Sequence, residues 1–231
     1  MNFSCLLCYQ ASQTPVCTWC EHDMFFFNKI IHGSNLLSFG PVGNHVRHSC
    51  YQRLTLLSVH THPMTILINA FKFQHSLMAG SVLSQWFIHH KQQDIVPKPQ
   101  LLLPVPISPW RLASRHYNQA AVLAQELGKA FAIPMCTNWA VRKGFSAQHT
   151  LGKQQRFEHA NSIFSLTRHC IDSAVQDAPK VTHVAIVDDV ITTGVTADVL
   201  ARMLRDRYPH LLIEVWAMTF TPPPKSSLLV T

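Results

Sequence analysis

The sequence predicts an α/β fold with a mainly parallel sheet, preceded by a small cysteine-rich segment. Three observations point there. From about Pro63 onward, short apolar runs of strand character alternate with segments of helical period. One such run, ending at Val187, leads through two acids and a Thr/Gly turn into a helical segment. Five of the seven cysteines fall within residues 1–50. The expected organisation is therefore a cysteine segment over residues 1–60 and an α/β domain over 61–231.

The elements follow in order. Met64 to Phe73 and Leu77 to His90 carry apolar or small residues at helical intervals, as in Leu77, Gly80, Leu83 and Phe87. Val96-Pro97-Lys98-Pro99 breaks the chain, and Leu101 to Val105 reads as a short buried strand. Ala120, Leu123, Ala124, Leu127, Ala130 and Phe131 repeat at i, i+3, i+4, i+7, a helix. Residues 143–156 are polar with two glycines and read as a mobile loop. Val184 to Val187 is a buried strand, Thr196 to Arg207 a helix stopped before Pro209, and Ile213, Val215 and Ala217 mark a last strand.

Composition narrows the class. The 231 residues are 47% hydrophobic and only 13% charged, about half the usual share of ~25%, which excludes disorder, coiled coil and collagen. No apolar run reaches the length of a membrane span, and Met1 to Cys8 carries neither a basic stretch nor a long apolar core. A cytoplasmic protein with no membrane insertion is expected. Nineteen basic against twelve acidic residues give +7, which favours anionic partners, although the basic residues are scattered. Of fifteen histidines only His45 and His48, with Cys50, approach ligand spacing, and these three read as ordinary loop residues. Cys136 and Cys170 read as core or loop thiols.

Cys5-Leu6-Leu7-Cys8 and Cys17-Thr18-Trp19-Cys20 are two CxxC pairs separated by eight residues. Each pair can turn back and present two thiolates to one metal, so together they predict a structural four-cysteine zinc site. Disulfides, or a redox-active CxxC, are the competing readings. Four thiolates leave no open position, so a catalytic zinc is not expected.

The most informative stretch is Val187-Asp188-Asp189-Val190-Ile191-Thr192-Thr193-Gly194-Val195-Thr196. A strand that ends in two carboxylates and enters a helix through a Thr/Gly turn suits a ribose 5-phosphate. Backbone N–H groups from Thr192 to Thr196 can cradle the phosphate, with threonine hydroxyls as further donors. Gly194 allows close backbone approach, and Asp188 and Asp189 can accept from the ribose hydroxyls. A helix N-cap and a metal site of another enzyme class are the plainer readings of adjacent acids. No P-loop and no dinucleotide-binding glycine pattern occurs.

This string resembles the 5-phosphoribosyl-1-pyrophosphate (PRPP) loop of type I phosphoribosyltransferases, and the whole arrangement resembles the ComF family, which includes GntX-like proteins. Other stretches fit that family in order. Ile68 to Phe73 is similar to its segment ending in Lys-Phe, and Val105-Pro106 followed by Arg115-His116-Tyr117-Asn118-Gln119 to its Val-Pro and Arg-Gly-Phe-Asn-Gln stretch. Arg142, Gln148, Leu151, Arg156, Asn161 and Phe164 match its mobile-loop region. Three features depart from the family: residues 30–60 offer only Cys50 instead of further CxxC pairs, His116-Tyr117 replaces Gly-Phe, and Asn2 rather than a cysteine follows Met1. Neither a glutaminase domain nor glutamine-dependent amide transfer is expected.

The resemblance implies a Rossmann-like phosphoribosyltransferase sheet, Mg²⁺ carried with PRPP, and a link to competence or the use of external DNA. It implies Asp188 and Asp189 as the acidic pair, with Arg142 and Lys143 as catalytic contacts to pyrophosphate and Arg115 as a third. The phosphate would lie on Thr192, Thr193, Gly194, Val195 and Thr196, with loop closure over residues 143–156 excluding water. The acceptor is not read from the sequence. A second reading, of a different class, is a non-catalytic module that binds a nucleotide or single-stranded DNA beside competence proteins, with Trp19 and Trp110 stacking on bases.

Overall fold

The computed structural model describes residues 3–143, 163–167 and 181–223. Two short strands, β1 (Phe3–Ser4) and β2 (Ala11–Ser12), pair antiparallel around the first CxxC. Three short helices follow, α1 (Thr18–His22), α2 (Lys29–His32) and α3 (Gly40–Gly43). Then come β3 (Arg53–Val59), α4 (Met64–Phe73), α5 (Leu77–Lys91) and β4 (Leu101–Pro104). After α6 (Pro109–Arg115) and α7 (Gln119–Phe131), an antiparallel pair, β5 (Ala140–Arg142) and β6 (Phe164–Leu166), precedes β7 (His183–Ile191), α8 (Val195–Arg207) and β8 (Leu212–Phe220).

Four strands form the central sheet in the order β3-β8-β7-β4, every pair parallel. Side chains alternate between its two faces, because successive residues of a strand point opposite ways. Leu101, Leu103, Val184, Ile186, Ile213 and Val215 join one apolar core with α8 and with Phe27, Leu36, Val42, Val46 and Tyr51 of the N-terminal segment. Leu102, Ala185, Val187, Trp216 and Met218 face the other core, with α4, α5 and α7. Cys5, Val16 and Met24 pack into that second core, so the cysteine segment is seated on the helix layer. The result is a three-layer α/β sandwich.

The sequence reading matches the central helices closely and departs from the structure elsewhere. Arg53–Val59, ahead of the expected boundary at 60, is an edge strand of the sheet. The strand expected over 184–187 runs on to Ile191, because Asp188, Val190 and Ile191 stay in register with Ala217, Thr219 and Phe220 of β8. The two acids therefore sit within the last turn-facing part of a strand rather than just after it. Cys136, expected as a thiol, is disulfide-bonded. Apart from Lys143, the expected loop 143–156 lies outside the described residues, as do Asn161 and Cys170. No helix among the described residues is long and apolar enough to cross a membrane.

Candidate functional site

A cavity of about 530 Å³ opens at the carboxyl ends of the parallel strands. Its lining takes His60 from beyond β3, Val105 and Pro106 from beyond β4, Asp188 and Asp189 from β7, and Thr221 from beyond β8. This is where a parallel sheet exposes its binding crevice, since helices cover both faces. Lys72, Arg111, Arg115 and Arg142 line the same cavity from α4, α6 and β5.

The acidic pair is unequal in its surroundings. Asp189 is buried and its Oδ1 lies 3.1 Å from Lys72 Nζ. Asp188 Oδ1 accepts the Asp189 backbone N–H at 2.9 Å. Burial, and next the charge of Asp189, raise the Asp188 carboxyl far above the ordinary carboxylate range. His60 is shifted down, first by burial and then by the Lys72 ammonium, so it is held neutral beside them. Its Nδ1 lies 3.3 Å from Thr219 Oγ1.

Lys72 is placed by packing beneath it. Phe71 is fully buried, its ring against Gly80 of α5, where an added Cβ would come within 2.5 Å of the ring. The Tyr117 hydroxyl donates to the Phe71 carbonyl. The Tyr117 oxygen thus acts as a tether on the end of α4. Arg115 lies with its guanidinium 5.1 Å from the Phe73 ring centre and donates to Gln119 Oε1 at 3.3 Å. Arg142 sits over Phe164 at 5.5 Å, so the β5–β6 pair carries this cation to the cavity.

Of the expected phosphate residues, Thr192 and Thr196 line the cavity with the two acids. Thr193, Gly194 and Val195 are not in its lining, and neither is the exposed Lys143. Gly194, at φ +70°, caps the start of α8. Its backbone is approached not by the cavity but by the N-terminal segment: a Cβ there would meet Val46 Cγ1 at 2.6 Å and the Arg47 carbonyl oxygen at 2.7 Å. The Arg47 N–H donates to the Thr193 carbonyl at 2.9 Å, and its Nε reaches Asp198 Oδ2 in the first turn of α8 at 3.1 Å. The first N–H groups of α8 have no partner within the helix, which leaves them able to meet an anion beside Thr192 and Thr196. Lys72, His60 and Arg111 were not singled out as site residues from sequence. Lys72 carried a signal, since it lies in the segment that resembles the family's Lys-Phe.

The second site is the cysteine cluster. The sulfurs of Cys5, Cys8, Cys17 and Cys20 all lie within 4.8 Å of one another, and all four are free. Cys8 and Cys17 sulfurs are 3.8 Å apart, the edge of a tetrahedron of thiolates about 2.3 Å from a central zinc. The Cys17 N–H donates to Cys5 Sγ at 3.4 Å. Burial opposes ionisation of Cys5, yet hydrogen bonds from the backbone at Cys8, Cys17 and Leu7 bring its pKa down to about 6. These four cysteines could hold a metal ion such as zinc. His45, His48 and Cys50 do not join them: among the described residues this is the one His/Cys/Asp/Glu group with metal-binding spacing.

Fold and sites together define a parallel α/β protein with a mixed-charge cleft at its strand ends and a four-cysteine cluster. No protein-family model matches the chain. Its homologues include Competence protein F of Haemophilus influenzae, 28% identical over 228 residues, which are 94% of this chain and 96% of that protein. The DNA utilization protein YhgH of Salmonella typhi is 26% identical over 176 residues, 74% of this chain and 73% of that protein. Its counterpart in Escherichia coli strain K12 is 27% identical over the same length.

Proposed function

We propose that this chain is a phosphoribosyltransferase-like protein of the ComF kind, whose cleft binds PRPP or a related ribose phosphate with Mg²⁺. The observation that carries this is the placement of Asp188 and Asp189 at the carboxyl end of β7, leading into the α8 N-terminus and facing Arg111, Arg115 and Arg142. In this reading the acids hold the ribose hydroxyls, and Thr192, Thr196 and the first N–H groups of α8 hold the 5-phosphate. Thr193, Gly194 and Val195 shape that turn. The arginines and Lys143 meet the pyrophosphate that leaves C1′. Carboxylates with room for water suit a hard oxygen-loving cation, and Mg²⁺ would supply charge neutralisation of the leaving group. Zinc held by Cys5, Cys8, Cys17 and Cys20 orders residues 1–60 against the 61–231 domain. The names of the homologues support a role in competence or in the use of external DNA.

The test is thermal stability. PRPP with Mg²⁺ at about 100 times Kd should stabilise the protein by about 2.7 kcal/mol, a shift of several degrees at this size. The double variant Asp188→Asn, Asp189→Asn should fold and lose the shift. Absence of any shift in the unaltered protein with PRPP, ribose 5-phosphate or nucleotides would overturn the reading.

A second reading, a non-catalytic nucleotide or single-stranded DNA module, is favoured by one observation. Trp19 and Trp110 are 83% and 81% exposed, as stacking on bases requires. Salt separates the two. Oligonucleotide affinity should fall severalfold or more between about 50 and 200 mM salt, whereas PRPP binding should depend on Mg²⁺.

A further inference from the structure

The cleft carries an internal cation of its own beside the acidic pair. Lys72 Nζ stands 3.1 Å from Asp189 Oδ1, and the two side chains are only 17% and 11% exposed. Among the described residues, Lys72 makes the close ion pair with Asp189, while Arg142 feels the charge of Asp188 without closing on it. Among the described residues the lining holds four cations, Lys72, Arg111, Arg115 and Arg142, against the two carboxyls of Asp188 and Asp189, a formal surplus of positive charge even with both acids ionised. A bare divalent cation entering this cavity meets that surplus and must compete with an ammonium already seated on Asp189. A polyphosphate anion meets the opposite field. It is attracted by three guanidinium groups, and it gives the Lys72 ammonium oxygens to move to within the same cavity.

We propose that Lys72 is the resident counter-ion of Asp189, which bars free divalent metal from the cleft and yields the carboxylate only when an anionic diphosphate enters with the metal. The proposal rests on the reading of the cleft as a phosphosugar site and adds an order to it: anion and metal enter together, and metal alone does not. Lys72 is a positioning residue in this scheme. It decides which ligand the acids accept, while the packing of Phe71 on Gly80 and the Tyr117 tether keep the base of its side chain fixed.

The experiment follows the metal itself. Protein-bound Mn²⁺ is counted by equilibrium dialysis of the full-length protein, alone and with inorganic pyrophosphate on both sides of the membrane so that the Mn²⁺–pyrophosphate complex in solution is balanced, and pyrophosphate binding without metal is measured by calorimetry. The unaltered protein should take up little Mn²⁺ at the cleft alone and clearly more with pyrophosphate. Lys72→Gln should bind Mn²⁺ alone more tightly by on the order of tenfold and pyrophosphate more weakly by a similar factor, an ordinary size for coupling between two ligands. Lys72→Arg should restore the original pattern, and circular dichroism checks the fold of both. Equal Mn²⁺ affinity in the unaltered protein and Lys72→Gln would overturn the proposal, as would an unaltered protein that binds pyrophosphate yet takes up Mn²⁺ alone as well as with it. Should Lys72→Gln fail to fold, that second comparison decides the matter on the unaltered protein. If pyrophosphate fails to bind while the Mn²⁺ difference persists, the phosphosugar reading falls and the counter-ion role stands.

Discussion

Gly194 is constrained twice, once by its left-handed backbone and once by the Val46 side chain and Arg47 backbone lying against it. Gly194→Ala should therefore destabilise by about 2–4 kcal/mol, the sum of a strained φ and an overpacked contact. A urea titration reads this, and the loss should be present without any ligand. That result separates a folding role from a purely phosphate-binding one. Asp188 gives a pH prediction. Its carboxyl is pushed up to about 8 by burial and by Asp189, against about 4 in an unfolded chain. The fold thus keeps a proton that the unfolded chain gives up. This group's stabilisation is present in full below pH 4 and is lost as pH rises towards 8. Binding of a metal–phosphosugar ligand needs the ionised acid, so its thermal shift should grow between pH 6 and 9. A shift that shrinks over that range would contradict the assignment.

At the scale of elements, α4 reaches the cleft through its contact with α5. Gly80 is remote from the cavity lining, yet Gly80→Leu must push Phe71 aside and carry Lys72 with it. The expected cost is about 1–3 kcal/mol of stability. With it should come a weaker PRPP-dependent shift, measured at a temperature where the variant is still folded. The sequence showed α4, α7 and α8 well, because each keeps a 3.6-residue apolar period over ten residues or more. The β7–α8 junction was legible for a different reason: a β-branched run, two acids and a Thr/Gly turn seldom coincide without a ligand. What stayed hidden was assembly. β3 has no neighbouring crossover helix before it, and its partner is the last strand, so nothing local announces Arg53–Val59 as part of the sheet. α6 buries none of its residues and so has no apolar period to read. His60, Lys72 and Arg111 meet Asp189 only through the parallel topology, which local spacing cannot express. Gly194 was legible as a glycine requirement, while its neighbours proved to be the Val46 side chain and the Arg47 backbone.

The whole molecule is tied together through its N-terminal segment. Cys5, Val16 and Met24 share a core with Met64, Phe71 and Trp216, and Val42, Val46 and Tyr51 share the other with α8. Removing metal from the cysteine cluster with a strong chelator should therefore lower the melting temperature of the entire protein. One broadened or shifted calorimetric transition is expected, and loss of a small separate transition with the main one unmoved would show an independent knuckle. Metal analysis of the purified protein should give about one zinc per chain. The strand order has a consequence for the chain as it is being made. β3 lies at the sheet edge, and among the described residues it pairs only with β8, far along the chain from it, as in Arg53 opposite Glu214. A chain made from its N-terminal end thus carries β3 with its pairing edge uncovered until β8 has been made. Nascent chains stalled before Leu212 should be protease-sensitive throughout, and those released after Phe220 should acquire resistance in a single step.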